Sequence, residues 1–174
     1  MQEAYERARA VKLVIFDVDG VLTDGRIYIT DSGEEMKGFH SRDGHGMKLL
    51  KHAGLETAII SGRTARCVEL RAQNLDVGVL YQGVEDKVAV FEELLERTGL
   101  APEQTAYIGD DIVDLPVMRR AGLAACVPEA PEVVRASAHY ICKLPGGHGA
   151  VREWCEMILH AQGRFDAALA RYMA

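Results

Sequence analysis

Hydrophobic positions follow two alternating rhythms along this chain. Six short runs, at residues 12–16, 57–60, 77–80, 105–108, 123–127 and 140–142, are almost continuously apolar, as expected of strands buried on both faces. Between them, residues 46–53, 65–74, 87–98, 115–121, 131–136 and 150–162 space their apolar side chains as amphipathic helices do. Strand and helix in regular turn predict an α/β fold with a parallel sheet, flanking helices and right-handed crossovers. Ligands of such sheets bind at the carboxyl ends of the strands, so the polar residues that follow each apolar run are the candidates for chemistry.

Two segments depart from the rhythm. Residues 25–39, GRIYITDSGEEMKGF, hold a short apolar run, the turn signal Asp31-Ser32-Gly33 and a second extended stretch, which predicts a β-hairpin inserted after the first strand. The tail, residues 145–174, opens with a glycine-rich loop, expected to be either a mobile lid or a plain turn. Further on, Phe165, Leu169 and Tyr172 are spaced as in an amphipathic helix that docks on the chain or reaches toward a neighbour. Trp154 is expected to pack rather than to meet a ligand.

Composition narrows the function classes. With 174 residues, 48% apolar and 26% charged, residues 1–174 are expected to form one domain with a full core. A formal net charge of −6 without a basic run is a poor match for a phosphate backbone, so no nucleic-acid partner is expected, although local cations can still bind a small anion. No apolar run approaches the ~20 residues of a membrane span, and the charged start MQEAYERARAVK does not resemble a signal peptide. The expectation is a cytoplasmic protein with no membrane partner. Cys67, Cys126, Cys142 and Cys155 form no CxxC pair and read as free thiols.

The most informative stretch is Val14-Ile15-Phe16-Asp17-Val18-Asp19-Gly20-Val21-Leu22-Thr23-Asp24. Two carboxylates two residues apart at a strand end point to the same side, and Gly20 permits a sharp turn with close ligand approach. A second cluster, Gly109-Asp110-Asp111-Ile112-Val113-Asp114, follows the run at 105–108. Apart, both clusters read as solvated loop acids. Side by side, five acids repel one another unless a hard cation neutralises them, and Mg²⁺ with oxygen ligands fits. Ser61-Gly62-Arg63 and Lys87 add a hydroxyl, backbone N–H groups and an ammonium, the donors suited to phosphoryl oxygens. Taken singly, Ser61 reads equally as a helix N-cap and Lys87 as a solvated surface lysine.

In sequence, DVDGVLTD, ISGR, a lysine at a helix start and GDDIVD resemble the four motifs of the haloacid dehalogenase-like superfamily of aspartate-nucleophile phosphatases, over residues 12–127. That resemblance implies a Rossmann-like parallel sheet with Asp17 as the nucleophile that forms an aspartyl-phosphate. It implies Asp19 as proton donor and then proton acceptor. Mg²⁺ would lie between Asp17, the backbone carbonyl of Asp19 and Asp110, with Asp111 and Asp114 orienting these ligands, and Ser61 and Lys87 would clamp the phosphoryl group. A two-component receiver domain also gathers acids, a hydroxyl and a lysine, but takes its phosphate at the end of the third strand. Here the run at 77–80 ends in Tyr81-Gln82-Gly83, which speaks against that non-enzymatic alternative.

The likeness also narrows within the superfamily. Only 42 positions separate Asp19 from Ser61 and 26 separate Ser61 from Lys87, room for the hairpin at 25–39 but for no cap domain. The chain is similar to the capless group in which hairpins from four subunits pack into a homotetramer and neighbours close each site. Gly38-Phe39-His40-Ser41-Arg42-Asp43-Gly44-His45-Gly46 and Gly146-Gly147-His148-Gly149-Ala150-Val151-Arg152-Glu153 further resemble the members acting on a phosphorylated sugar acid, 3-deoxy-octulosonate 8-phosphate, in lipopolysaccharide assembly. By matched position, Asp19, His40, Ser41, Arg42, Asp43, Gly44, Lys48, Gly62, Arg63, Arg71 and Lys87 would contact the substrate, some of them in a neighbouring subunit. Relatives specific for nine-carbon sugar acids tend to carry an acid where Arg63 stands, and a guanidinium suits a substrate carboxylate. Lys48 and Arg71 also read as a solvated helix face, and Arg42 and Asp43 as a turn at a helix start. A nine-carbon sugar acid phosphate or another phosphomonoester remains the alternative substrate. His40, Asp43 and His45 lack the spacing and fourth ligand of a transition-metal site.

Overall fold

A computed structural model describes residues 2–170, 172 and 173. In chain order the elements are α1 (Gln2–Ala8), β1 (Leu13–Phe16), β2 (Tyr28–Ile29), β3 (Glu35–Met36), α2 (Ser41–His52), β4 (Glu56–Ile60), α3 (Arg66–Leu75), β5 (Val79–Tyr81), α4 (Lys87–Thr98), β6 (Thr105–Gly109), α5 (Leu115–Met118), β7 (Leu123–Cys126), α6 (Glu132–Arg135), β8 (Tyr140–Ile141), α7 (Ala150–Ala161) and α8 (Phe165–Ala170). Short 3₁₀ turns at Pro102–Gln104 and Ile112–Asp114 lead into and out of β6. The main sheet is parallel in the order β5-β4-β1-β6-β7-β8. From β1 the chain turns one way to β4 and β5, then returns to the other side for β6, so the crevice between β1 and β6 is the topological switch point where such sheets bind ligands.

All four residues of β1 and all five of β6 are buried, which explains their unbroken hydrophobicity. Helix α2 packs on α3 and α7, and α7 on α1, while α4 packs on α5. Trp154 on α7 is fully buried, as are Phe91 and Leu94 on α4, each such side chain contributing roughly 1.5–3 kcal/mol by leaving water. No helix among the described residues is long and apolar enough to cross a membrane.

Several local expectations need correction. Helix α2 begins at Ser41, five residues before the periodicity starts, because Gly44 and Gly46 let it lie close to Arg71 and Arg152 without presenting apolar side chains of their own. Strand β5 starts at Val79 instead of residue 77: Val77 still donates to the Ala72 carbonyl and closes α3, whose last turn ends at Asp76 in the left-handed region. Helix α1 carries only Ala4 and Ala8 on its buried face, too small a stripe to stand out in the sequence. The tail is not one amphipathic helix. It breaks at Gly163, whose φ is +65°, and resumes as the six-residue α8.

Residues 25–39 do form a hairpin, with Tyr28 opposite Met36 and Ile29 opposite Glu35, and no cap domain is present among the described residues. The glycine-rich loop at 145–149 is a pinned turn, which removes the lid reading. Gly147 donates its N–H to the Val21 carbonyl at 2.9 Å, and a Cβ on Gly146 would lie 1.8 Å from the Gly20 carbonyl oxygen. Asp43 corrects a second expectation, since it does not cap its own helix. Its buried carboxylate reaches across to α7 and accepts the N–H groups of Gly149 at 3.2 Å and Arg152 at 2.8 Å. Burial raises its pKa, against the pull of these two donors. Asp43→Ala strands two N–H groups of α7 and should destabilise the fold by about 2 kcal/mol; Asp43→Asn, which keeps one acceptor, should cost less. Urea denaturation of the three proteins checks that order.

Candidate active site at the carboxyl end of the sheet

Three strand ends build the site. The β1 ladder pairs Phe16 with Ile108 of β6 and Ile59 of β4, and Asp17 extends it by donating its N–H to the Ile108 carbonyl at 3.0 Å. Asp17 and the residues after Gly109 therefore leave the sheet side by side, with Ser61 on the opposite flank of β1. Gly20, at φ +84°, turns the loop beneath Asp110 so tightly that a Cβ there would lie 2.0 Å from Asp110 Oδ2. Thr23, which is fully buried, braces the same loop. Its hydroxyl oxygen accepts the N–H groups of Gly20 and Gly25 at 3.3 and 3.2 Å.

Asp17, Asp110 and Asp114 each bring a carboxylate oxygen within 4.8 Å of the others. Lys87, the first residue of α4, inserts its ammonium among them, 2.6 Å from Asp17 and 2.7 Å from Asp114. Both are buried, so Lys87 is no surface lysine. Asp114 is saturated: Lys87 and the Tyr107 hydroxyl, 2.6 Å away, donate to one oxygen, and the N–H groups of Asp110 and Asp111 donate to the other. That leaves Asp114 to orient its neighbours, while oxygens of Asp17 and Asp110 remain for a cation. Asp111 is exposed and caps the turn at Ile112 with its carboxylate.

Three carboxylates facing one ammonium leave a formal excess of two negative charges. The electrostatics register the misfit. Burial and the charge of Asp114 push Asp17 up to about 7 in spite of Lys87. Burial, then Asp17 and Asp114, push Asp110 up to about 8. Burial depresses Lys87, but Asp17 and Asp114 outweigh it and hold its pKa above the ordinary value. A hard divalent cation with oxygen ligands matches this donor set in charge and chemistry. Beside Asp110 a cleft of about 300 Å³, lined by Gly20, Asp24, Arg26, Gly146 and His148 among others, opens to solvent.

Other predicted site residues lie outside this cluster. Ser61 is buried and is not an N-cap, a position held by Ala65; its hydroxyl accepts the Arg63 N–H at 3.3 Å. Arg63 forms an ion pair with Glu35 of the hairpin. His40 caps α2 by position, Ser41 and Arg42 are exposed, and Arg42 lines a separate groove with Tyr140 and Arg152. Arg71 lies 5.7 Å over the Phe39 ring and donates to the His40 carbonyl at 3.3 Å, thereby shaping the α2 entry. Gly44 lies against Arg71, Gly62 is exposed, and Lys48 is half-buried on α2. Sequence reasoning missed Glu35 and Lys37. Lys37 forms an ion pair with Asp19, and its side chain is only 1% exposed.

Comparison with known proteins bears on this geometry. Residues 43–122 match the family model of haloacid dehalogenase-like hydrolases. The 3-deoxy-D-manno-octulosonate 8-phosphate phosphatase KdsC of Escherichia coli K12 is 46% identical over 162 residues, which cover 93% of this chain and 86% of that protein. The chain belongs to the haloacid dehalogenase-like hydrolases. Among solved members of that family, a probable yrbi family phosphatase from Pseudomonas syringae superimposes with a TM-score of 0.98 at 50% identity, covering 100% of this chain and 99% of that one. A second, the 3-deoxy-D-manno-octulosonate 8-phosphate phosphatase of Moraxella catarrhalis in complex with magnesium, phosphate and KDO, gives 0.96 at 43% identity, with 99% of each chain covered.

The raised carboxyls of this hydrolase give its stability a pH dependence with a definite sign. Asp17 and Asp110 bind protons more tightly in the folded chain than a solvated aspartate does. Stability they confer is therefore present at low pH and lost as pH climbs from about 4 toward 8. Without divalent cations, Tm should fall by roughly 5 °C between pH 6 and pH 9. Added Mg²⁺ should restore it most at the alkaline end, because binding displaces the protons. Differential scanning calorimetry with and without chelator reads both effects.

Proposed function

We propose that this chain is a Mg²⁺-dependent phosphatase that hydrolyses 3-deoxy-D-manno-octulosonate 8-phosphate to the free sugar acid and phosphate, in lipopolysaccharide assembly. The observation that carries the reading is Asp17 at the switch point, pinned by Lys87 and flanked by Asp110, in a chain nearly half identical to phosphatases of that substrate over most of its length. Asp17 attacks phosphorus to form an aspartyl-phosphate. Asp19 gives its proton to the departing sugar oxygen, then takes one from the water that cleaves the intermediate. Lys87 and Ser61 hold the phosphoryl oxygens. Asp17, Asp110 and the Asp19 carbonyl would hold Mg²⁺, with Asp111 and Asp114 orienting these ligands, and the bound ion would neutralise charge on the phosphoryl group.

Arg63, with the Gly62 backbone beside it, reads the sugar-acid carboxylate. His40 and the Gly44 backbone border the same substrate, and Asp43 and Arg71 hold their segment in shape. Exposed Ser41 and Arg42, together with Lys48, serve a site completed by another copy. A homotetramer built on the hairpin supports this arrangement, because Ile27, just before β2, and Tyr28, Ile29 and Met36 on its two short strands stand exposed, with Ile29 at 66%. Four free thiols suit the reducing cytoplasm.

With Mg²⁺ present, the purified protein should hydrolyse 3-deoxy-D-manno-octulosonate 8-phosphate with a kcat/KM at least about 100-fold above that for nine-carbon sugar acid phosphates. Asp17→Asn should abolish turnover while keeping the circular dichroism of the parent. A preference for the nine-carbon esters would overturn the substrate and spare the mechanism. Light scattering should give a mass four times that of the 19.1 kDa chain, and Ile29→Asp should lower both mass and activity. A fully active monomer would refute the tetramer.

A further inference from the structure

Four charges of alternating sign run from the proposed carboxylate-reading residue to the proposed proton donor. Arg63 pairs with Glu35, Glu35 faces Lys37, and Lys37 pairs with Asp19. The two middle members come from the hairpin, two residues apart, on and just after β3. Their environments differ in a telling way. Arg63 is 44% exposed, open to an arriving ligand, whereas the Lys37 side chain is shut off from solvent. Glu35 Oε1 is bonded to Arg63. Glu35 Oε2 is buried with no hydrogen-bond partner and lies 3.5 Å from the Lys37 ammonium, just outside strong contact.

We infer that Glu35 and Lys37 form a substrate-driven exchange of ion pairs: the sugar-acid carboxylate takes Arg63 from Glu35, and Glu35 then draws Lys37 off Asp19. The inference rests on the phosphatase reading given above and deepens it. Its physics is local. While Lys37 sits on Oδ1 of Asp19, that oxygen is occupied and the pair holds the orientation of the carboxyl group. With the phosphoryl group held by Lys87 and Ser61, the arriving carboxylate is the anion left to compete for Arg63, and it can take the guanidinium with both oxygens where Glu35 holds it with one. Once displaced, Glu35 loses its cation and keeps an unpaired oxygen, and a shift of about 1 Å brings the Lys37 ammonium into full contact. The Lys37 side chain is shut off from solvent, so the ammonium gives up no water when it shifts. A phosphate ester without a carboxylate leaves Glu35 on Arg63 and Lys37 on Asp19. Glu35 and Lys37 are thus positioning residues that make turnover depend on recognition of the acid group.

The test compares saturation kinetics on 3-deoxy-D-manno-octulosonate 8-phosphate and on glucose 6-phosphate, an alkyl ester without a carboxylate, at saturating Mg²⁺. Glu35→Gln should lower both KM and kcat for the sugar-acid ester, the first because Arg63 is no longer contested and the second, about tenfold, because Lys37 stays on Asp19. Lys37→Met should shrink the kcat ratio between the two esters by raising turnover of glucose 6-phosphate. In the double variant Glu35→Gln, Lys37→Met, kcat for the sugar-acid ester should recover at least fivefold over Glu35→Gln alone. If both residues merely anchor the hairpin, the double variant is no faster than the single one and both esters slow together, and the inference fails. A parent protein that does not favour the sugar-acid ester at all refutes the phosphatase reading instead.

Discussion

Everything in this fold is arranged around a repulsion. Asp17, Asp110 and Asp114 are held within reach of one another with a single ammonium between them, an arrangement that opposes folding whenever all three are ionised. Only a rigid frame can impose it. The frame is the fully buried pair β1 and β6, whose register places the two acid-bearing loops side by side, together with the four donors that fix Asp114. Close approaches complete it: Gly20 lies beneath Asp110, and Gly146 is stacked on the Gly20 carbonyl. A methyl group at either position would move the loop that follows Asp17. The stress is the basis of function, since a site short of positive charge by two is one that attracts a divalent cation and, with it, a phosphate dianion.

Recognition is built differently. No cap covers the crevice among the described residues, and the one element near its mouth is a hairpin with two residues in each strand. So short a ladder is marginal by itself. Ion pairs from Glu35 and Lys37 hold it to the sheet end, and its exposed apolar side chains await cover by another surface. Water that reaches an open phosphoryl site weakens each electrostatic contact in it. Packing of hairpins between copies would remedy both defects at once, burying the apolar residues and narrowing the mouth.

What the sequence reveals follows from which signals are local. The strand ends were legible because a two-sided buried strand writes itself as an unbroken apolar run and the acids stand immediately after it. Lys87 was legible as the start of α4, whose first residue matches the expected boundary. The bracing role of Asp43 left no local signal, because its partners, Gly149 and Arg152, lie more than a hundred positions away and nothing near Asp43 marks it as a cap for another helix. Thr23 hid inside a motif whose aspartates draw attention. Glu35 and Lys37 hid in a polar hairpin, where charged side chains ordinarily face water. Helix α1, buried through two alanines alone, left almost no periodic trace.

These failures share a cause that bears on how the two halves of the site divide their work. The acid cluster follows the ends of β1 and β6, where ladder pairing places the two loops side by side and the sequence pattern follows. Residues that bias recognition sit on a segment whose conformation is set by ion pairs, and an ion pair between distant positions has no period. The contact between Lys37 and Asp19 is where the two regimes meet, a buried side chain just beyond the hairpin strand β3 resting on a carboxylate in the turn that follows β1. Exchange of partners there requires no movement of β1 or β6, because only long, flexible side chains need to shift. Rigid placement of Asp17 and a grip on Asp19 through flexible side chains can therefore coexist within one sheet end and its hairpin.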